Sequence, residues 1–183
     1  AGTTTMNVPY YENFEGINGL NSLPNCSWYS ANMGNGVYTY TNTLTNNRLP
    51  YSGSKFGAFA VSPVGTDYLY TNGIYLNAGV TYSTGVYFQT EYYGYTNFSD
   101  LSIMLGTAQS TTGLVNLAST GGPALSPSYK LLSNTFTVGT SGLYYFAIRA
   151  TVTSGSAQYL SFDDFFVNVP CNLNPTNVSI AAT

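Results

Sequence analysis

The chain has 183 residues, of which only 6% are charged, and its formal net charge is −3. It contains no histidine, which excludes Ser-His and Cys-His nucleophiles, histidine zinc sites and imidazole acid–base catalysis. Its 4 basic residues form no basic patch for phosphates, so nucleic acid is excluded as an expected partner.

β-Branched and aromatic residues alternate with polar residues along most of the chain, and apolar residues do not recur at helical spacing. Short turns that contain glycine separate the alternating segments. The pattern predicts an all-β fold, an antiparallel β-sandwich of the jelly-roll type. The predicted strands, in chain order, are 56–62, 67–76, 80–90, 101–105, 130–138, 142–151 and 159–167, with 143–150 as a central strand.

Two segments interrupt this pattern: residues 18–47 predict a long loop with short strands, and residues 119–128 predict a second loop. The composition after Val169 is that of a linker, so we expect a domain at 1–169 and the start of another at 170–183. The opening Ala-Gly-Thr-Thr-Thr lacks the features of a signal peptide, and we interpret the chain as a piece of a longer secreted protein. No segment reaches the roughly 18–20 apolar residues that span a bilayer, so no membrane insertion is expected.

The two cysteines, Cys26 and Cys171, lie near opposite ends of the chain. They lack the CxxC spacing of zinc and redox sites. A disulfide between them would close a loop of about 145 residues and stabilise the fold by roughly 5 kcal/mol. Two buried free thiols are the alternative, and the extracellular type of composition favours the disulfide.

Asp163 and Asp164 lie inside an apolar run that predicts a buried strand. Successive residues of a strand point to opposite faces, so these carboxylates form no catalytic pair and at least one faces the interior. An unpaired buried carboxylate is costly. Its partner is therefore a bound cation, a basic residue such as Arg149 or Lys55, or a set of backbone donors. We favour a calcium ion with a structural role.

Five motifs follow one another along the chain in a characteristic order and spacing. They are Val8-Pro-Tyr-Tyr-Glu-Asn-Phe-Glu-Gly16, Leu23-Pro-Asn-Cys-Ser-Trp28, Tyr51-Ser-Gly-Ser-Lys55, Leu76-Asn-Ala-Gly-Val-Thr-Tyr82 and Phe162-Asp-Asp-Phe-Phe-Val167. Together they resemble the cleaved-adhesin, or choice-of-anchor J, family of jelly-roll modules. That family is related in architecture to MAM domains and to calcium-bearing carbohydrate-binding modules, and it occurs in secreted and surface proteins of bacteria with type IX secretion. The tail from Cys171 is similar to the opening of a fibronectin type III domain.

The resemblance implies that the first and last strands pair, and that Glu15 binds calcium jointly with Asp163 or Asp164. Calcium takes six to eight oxygen ligands, so backbone carbonyls near Ser54 and Lys55 are expected to complete the shell. Such an ion would stabilise the domain without taking part in recognition. Glu12 is expected to be a solvated neighbour of this site, and the alternative is that it joins the metal ligands. The central loops lack the Asp-rich run of some family members, and we expect one calcium site.

Trp28 is the only tryptophan in the chain. An aromatic ring packs well on the apolar face of a pyranose, so one interpretation is a sugar-stacking platform. The alternative, which we favour, is an anchor in the core or in a loop beside Cys26.

The segment 91–98 is the better ligand-binding candidate, because Tyr92, Tyr93 and Tyr95 lie in a glycine-containing loop. Loops at the ends of a sandwich often carry binding, and tyrosine suits adaptable contact surfaces. A self-packed loop tip is the alternative. The stretch 38–42 is a second such patch or an edge strand.

These observations favour a non-catalytic adhesion module of a secreted, multidomain bacterial surface protein, stabilised by calcium. A carbohydrate-binding module that brings an attached enzyme to a polysaccharide is the second hypothesis, and a structural spacer is the third. The expected partner is a glycan or a protein of a host or cell surface, and the module is expected to be monomeric. An enzyme is not expected, because no acid–base constellation is visible.

Overall fold

A computed structural model describes residues 5–17, 23, 27–31, 37–41, 48–59, 64–91, 98–155 and 159–171. These residues form twelve strands and no helix, so the described part of the chain has no helix able to cross a membrane. The strands are β1 (Tyr10–Glu12), β2 (Trp28–Ala31), β3 (Val37–Thr41), β4 (Lys55–Phe59), β5 (Gly65–Thr71), β6 (Ile74–Leu76), β7 (Thr81–Thr90), β8 (Phe98–Gly106), β9 (Val115–Ser119), β10 (Lys130–Thr137), β11 (Gly142–Val152) and β12 (Leu160–Asn168).

The strands form two antiparallel sheets, which confirms the predicted all-β sandwich. The first sheet has the order β10-β7-β12-β4-β3, and β1 pairs with β12. The second sheet has the order β2-β5-β11-β8-β9, and β6 pairs with β11. Tyr10 of β1 lies opposite Val167 of β12, so the first and last strands pair as the resemblance implied. The predicted central strand is β11, between β5 and β8.

The main core fills the space between the sheets. Phe146 and Ile148 of β11 are fully buried in it, together with Leu160 and Phe162 of β12. Ala147 lies between the two inward residues of β11 and belongs to a separate cluster, so its side chain points to the outer face of the second sheet. That outer cluster consists of Tyr70, Met104 and Ala147, with Tyr68 and Leu114 packed against it.

Two strand predictions differ from the structure. The predicted strand 67–76 is divided at Asn72 and Gly73 into β5 and β6. Strand β9, Val115–Ser119, was not predicted, because its side chains are exposed or half-buried and carry no regular apolar alternation. It is an edge strand that pairs only with β8 in the second sheet.

Gly57 shows how closely β4 and β12 approach each other. It lies opposite Phe162, and a Cβ atom at Gly57 would be 2.2 Å from Cε2 and 2.5 Å from Cζ of that ring. We expect Gly57→Ala to lower the free energy of unfolding by about 1–3 kcal/mol, because the added methyl overpacks the core. Urea unfolding of the wild type and of Gly57→Ala measures this difference in the free energy of unfolding. Gly142→Ala is the matched strand control, since a Cβ there meets nothing within 4 Å; equal losses in both variants would contradict the prediction.

Candidate functional site

Asp163 is fully buried in β12, and its partners are backbone N–H groups. Its Oδ2 accepts hydrogen bonds from the N–H groups of Tyr51 at 2.9 Å and Ser52 at 3.1 Å. Its Oδ1 accepts from the N–H of Asp164 at 2.8 Å. Backbone donors, one of the three predicted kinds of partner, are thus observed. Two of them, Tyr51 and Ser52, belong to residues 51–55, which we call the strap.

Asp164 reaches the same strap because β12 contains a β-bulge. The register with β7 shifts between Asp163 and Phe166, and Asp164 adopts a left-handed φ of 49°. Its Oδ1 accepts a hydrogen bond from Ser52 Oγ at 2.8 Å. The expectation that the two carboxylates face opposite sides is therefore wrong: both contact Ser52. Burial and a hydrogen bond to Asp164 raise the pKa of Tyr11, on the neighbouring strand, to about 12.

Glu15 holds the other end of the strap. Its Oε1 accepts from the N–H groups of Ser54 at 2.7 Å and Lys55 at 2.6 Å, and its Oε2 accepts from Ser54 Oγ at 2.8 Å. Burial acts to raise the pKa of Glu15, but these hydrogen bonds outweigh it and lower that pKa. Gly53 has a φ of 63°, and a Cβ there would lie 2.5 Å from Glu15 Oε1, so the close approach requires glycine.

The ammonium group of Lys55 points to backbone carbonyls. It donates hydrogen bonds to the carbonyl oxygen of Glu15 at 3.0 Å and to that of Ile17 at 2.5 Å. The alternative of pairing between these acids and Arg149 does not occur, because Arg149 pairs with Asp100.

These contacts do not fit the predicted calcium shell. Glu15 holds one end of the strap, and Asp163 and Asp164 hold the other. In the part of the chain that the structure describes, no three Asp, Glu or Cys residues lie together as a metal-binding group. Calcium binding stays a prediction of the sequence, and the glycan-binding role proposed for the module does not depend on it.

Trp28 is a core residue. Its side chain is 1% exposed, and its ring contacts Phe14 at 5.7 Å and Phe165 at 5.8 Å between centroids. The sugar-stacking interpretation is therefore corrected in favour of the core alternative. Glu12, expected to be solvated, is instead half-buried: it accepts hydrogen bonds from Trp28 Nε1 at 3.2 Å and from the N–H of Phe14 at 2.7 Å.

Several predicted residues lie outside the described part of the chain. They are Tyr92, Tyr93 and Tyr95 of the aromatic loop, Cys26, and the proposed fibronectin-like start after Cys171. Cys171 itself is exposed, and its pairing with Cys26 stays a prediction. The stretch 38–42 overlaps β3, which lies at the end of the first sheet, in agreement with the edge-strand alternative.

Three tyrosines on the outer face of the second sheet form an aromatic row that the sequence analysis missed. We call Tyr29, Tyr68 and Tyr70 the tyrosine face. Tyr68 and Tyr70 stack with ring centroids 5.9 Å apart and planes at 12°, and Tyr29 lies 6.2 Å from Tyr70. Tyr70 is fully buried and Tyr68 half-buried, whereas Tyr29 is 49% exposed. The period-two spacing of Tyr68 and Tyr70 was the available signal, but only the pairing of β2 with β5 adds Tyr29.

A polar network borders the tyrosine face. Arg149 of β11 lies opposite Tyr68 on one side and opposite Ser102 on the other. Its Nη2 donates to Asp100 Oδ2 and to Ser102 Oγ, both at 2.9 Å. Burial acts to raise the pKa of Asp100, but hydrogen bonds from Ser102, Ser119 and Arg149 outweigh it and lower that pKa. The guanidinium charge is thus balanced beside the aromatic row.

Two buried polar atoms on this face have no hydrogen-bond partner: Tyr70 Oη and Arg149 Nε. Within the described residues they are the only buried side-chain nitrogen or oxygen atoms in that state. Their residues occupy adjacent rows of the sheet, since Tyr70 pairs with Ala147 and Arg149 with Tyr68. Burial raises the pKa of Tyr70 to about 12, so its hydroxyl stays protonated at neutral pH. Native proteins leave few such groups unpaired, and ordered water or a ligand usually satisfies them.

No protein-family model matches the chain, and no curated protein matches it. Among solved structures it is similar to the K1 cleaved adhesin domain of Lys-gingipain from Porphyromonas gingivalis W83, with a TM-score of 0.66, 14% identity, and coverage of 89% of this chain and 99% of that chain. It is similar to the CBM22-2 xylan-binding domain of Paenibacillus barcinonensis Xyn10C, with a TM-score of 0.57, 11% identity and coverage of 88% and 99%. The fold is that of these jelly-roll modules.

A third similar structure is the CBM22-1–GH10 portion of xylanase 10B from Clostridium thermocellum, complexed with xylohexaose. The TM-score is 0.59 at 17% identity, and the match covers 94% of this chain. The chain spans only 29% of that xylanase chain. At these identities the likeness establishes the fold, and it confirms the resemblance to adhesin and carbohydrate-binding jelly rolls at that level.

Proposed function

We propose that this chain is a non-catalytic binding module that takes a neutral glycan on the tyrosine face. The observation that carries the proposal is the coincidence of an aromatic row with Tyr70 Oη and Arg149 Nε, which lack partners within the protein. Aromatic rings pack on the apolar faces of sugars, and sugar hydroxyls supply the donors and acceptors that such polar groups need. Tyr29 provides the exposed contact surface.

Both unpartnered atoms are buried. We propose that a bound water connects them to the hydroxyls of the ligand, as is common in wet binding sites. Asp100 balances the charge of Arg149 at 2.9 Å, so the face offers hydrogen bonds without a net attraction for anions. A neutral sugar matches this chemistry better than a uronate or a phosphate does. Binding is accordingly expected to change little with salt.

The absence of catalysis is part of the proposal. Glu15, Asp100 and Asp163 each hold several donors of the protein itself, which leaves them poorly placed for proton transfer to a substrate. The solved carbohydrate-binding and adhesin modules with the same fold support a binding role. We also propose that the module works outside the cell, as part of a secreted, multidomain protein.

The test is retention of the purified chain on insoluble neutral polysaccharides, measured by depletion from solution and by affinity electrophoresis. We expect saturable binding that Tyr29→Ala and Tyr68→Ala each weaken about tenfold, equivalent to about 1.4 kcal/mol. Tyr11→Ala is the matched control, because Tyr11 is 56% exposed on the other sheet. If the folded wild-type chain is retained by no neutral polysaccharide, or if Tyr11→Ala weakens binding equally, the proposed site is wrong.

Adhesion to a protein surface is the second function to consider. The favouring observation is the exposure of Tyr29 beside buried Tyr70, since rigid amphipathic tyrosines also suit protein contacts. This function gains support if polysaccharide retention fails while Tyr29→Ala weakens attachment to cell-surface proteins.

A further inference from the structure

The carboxylates that hold the strap accept hydrogen bonds from groups of the protein itself. Every carboxylate oxygen with a described contact there accepts from a protein donor: Glu15 from Ser54 and Lys55, and Asp163 from Tyr51 and Ser52. Carboxylate oxygens that accept two N–H groups have fewer lone pairs directed toward a metal. The acids that the sequence assigned to calcium are thus employed as acceptors for the strap.

The carbonyl oxygens of this region also have a cationic partner. Glu15 O and Ile17 O belong to the turn after β1, and both accept from Lys55 Nζ, at 3.0 Å and 2.5 Å. Carbonyl oxygens of a turn are typical calcium ligands, and calcium would lie 2.3–2.6 Å from each oxygen. An ammonium group and a calcium ion cannot share that space, because their positive charges repel each other at short range.

The same lysine joins two parts of the molecule. Its backbone N–H binds the carboxylate of Glu15, and its side chain binds the carbonyl of the same residue. Lys55 begins β4, which pairs with the last strand, β12. The link therefore connects the turn after the first strand to the middle of the first sheet.

We propose that the Lys55 ammonium replaces a structural divalent cation in this module, so that the fold requires no calcium. The predicted calcium ligands are instead acceptors for donors of the protein, and this observation supports the proposal. The proposal does not depend on glycan binding.

The test is thermal unfolding of the wild-type chain and of Lys55→Met, each with added calcium and with a chelator. Methionine keeps the length and apolar stem of the side chain and removes its charge. We expect the wild-type melting temperature to be the same in both conditions. Lys55→Met is expected to melt about 4–8 °C lower in chelator, because two charge-assisted hydrogen bonds are lost. Lys130→Met is the control, since Lys130 is exposed at the start of β10.

Terbium luminescence provides a second readout, because Tyr51 in the strap and Tyr11 on the neighbouring strand β1 sensitise a bound terbium ion. We expect no saturable signal from the wild-type chain and a calcium-competed signal from Lys55→Met, in which the carbonyls are free. A wild-type melting temperature raised by calcium, or saturable terbium binding to the wild type, would overturn the proposal. If Lys55→Met does not fold, these wild-type titrations decide alone. The proposal is also overturned if Lys55→Met is as stable as Lys130→Met in chelator.

Discussion

Asp163→Ala is expected to lower the free energy of unfolding by about 3–5 kcal/mol. The carboxylate accepts from three backbone N–H groups, those of Tyr51, Ser52 and Asp164. Alanine leaves these donors without an acceptor in a site where residue 163 is 0% exposed. Chemical unfolding followed by circular dichroism measures the loss. If Asp163→Ala lowers the free energy of unfolding by less than Gly57→Ala does, water enters the site and accepts the hydrogen bonds of the strap N–H groups.

The same residue predicts an unusual pH dependence in metal-free buffer. Burial raises the pKa of Asp163 to about 7, whereas the ordinary value is 3.8, and hydrogen bonds from Ser52 and Asp164 offset only part of that rise. The folded state therefore holds a proton between those values that the unfolded state has lost. Stability is greatest below the unfolded pKa and falls as pH rises toward 7, by at most about 1.4 kcal/mol per pH unit.

Asp163→Asn isolates this contribution, because the amide does not titrate. Unfolding free energies measured across that pH range are expected to fall for the wild type and to stay nearly constant for the variant. Glu15 acts in the opposite sense, since hydrogen bonds lower its pKa and its contribution disappears only as pH falls through its folded pKa. A wild-type stability that rises between the two pKa values of Asp163 would contradict the prediction.

Trp28→Ala is expected to lower the free energy of unfolding by about 3–5 kcal/mol, as for other large buried aromatics. Trp28 is 1% exposed and packs against Phe14 and Phe165. Its Nε1 also donates to Glu12, so truncation leaves that half-buried carboxylate without one of its donors. Trp28→Phe keeps part of the ring volume and is expected to lose roughly half as much.

The fluorescence of the wild-type chain offers an independent check, because Trp28 is its only tryptophan. A buried indole emits at short wavelength and is quenched poorly by acrylamide, with or without polysaccharide. Strong quenching that a bound sugar suppresses would instead identify Trp28 as a ligand platform. In that case Trp28→Phe would abolish retention while leaving stability almost unchanged.

The fold was largely predictable from the alternation of apolar and polar residues along the chain. Period-two patterns and glycine turns located seven strand segments, and the two-sheet sandwich follows from their number and amphipathic character. Strand β9 was not predictable in this way, because neither of its faces is fully buried. The β-bulge at Asp164 could not be predicted from the sequence either. It depends on a left-handed φ of 49° at Asp164, and no glycine at that position signals such a backbone conformation.

The candidate site was much less predictable. The sequence correctly indicated that Asp163 needs a partner, and the strap residues lie in a motif that it singled out. It did not show that backbone N–H groups would be the donors, because that depends on how 51–55 folds over β12. Tyr29, Tyr68 and Arg149 lie far apart in the sequence, and only the register of β2, β5 and β11 brings them onto one face.

The pairing of β1 with β12 determines how the module transmits mechanical force. Tyr10 lies opposite Val167 and Glu12 opposite Phe165, so the chain reaches β1 and leaves β12 at the same end of the sandwich. Tension applied at this end separates β1 from β12 in the direction perpendicular to the strands. The hydrogen bonds between the two strands then break one after another and not all at once. A β1–β12 pair loaded in this way is therefore expected to open at low force.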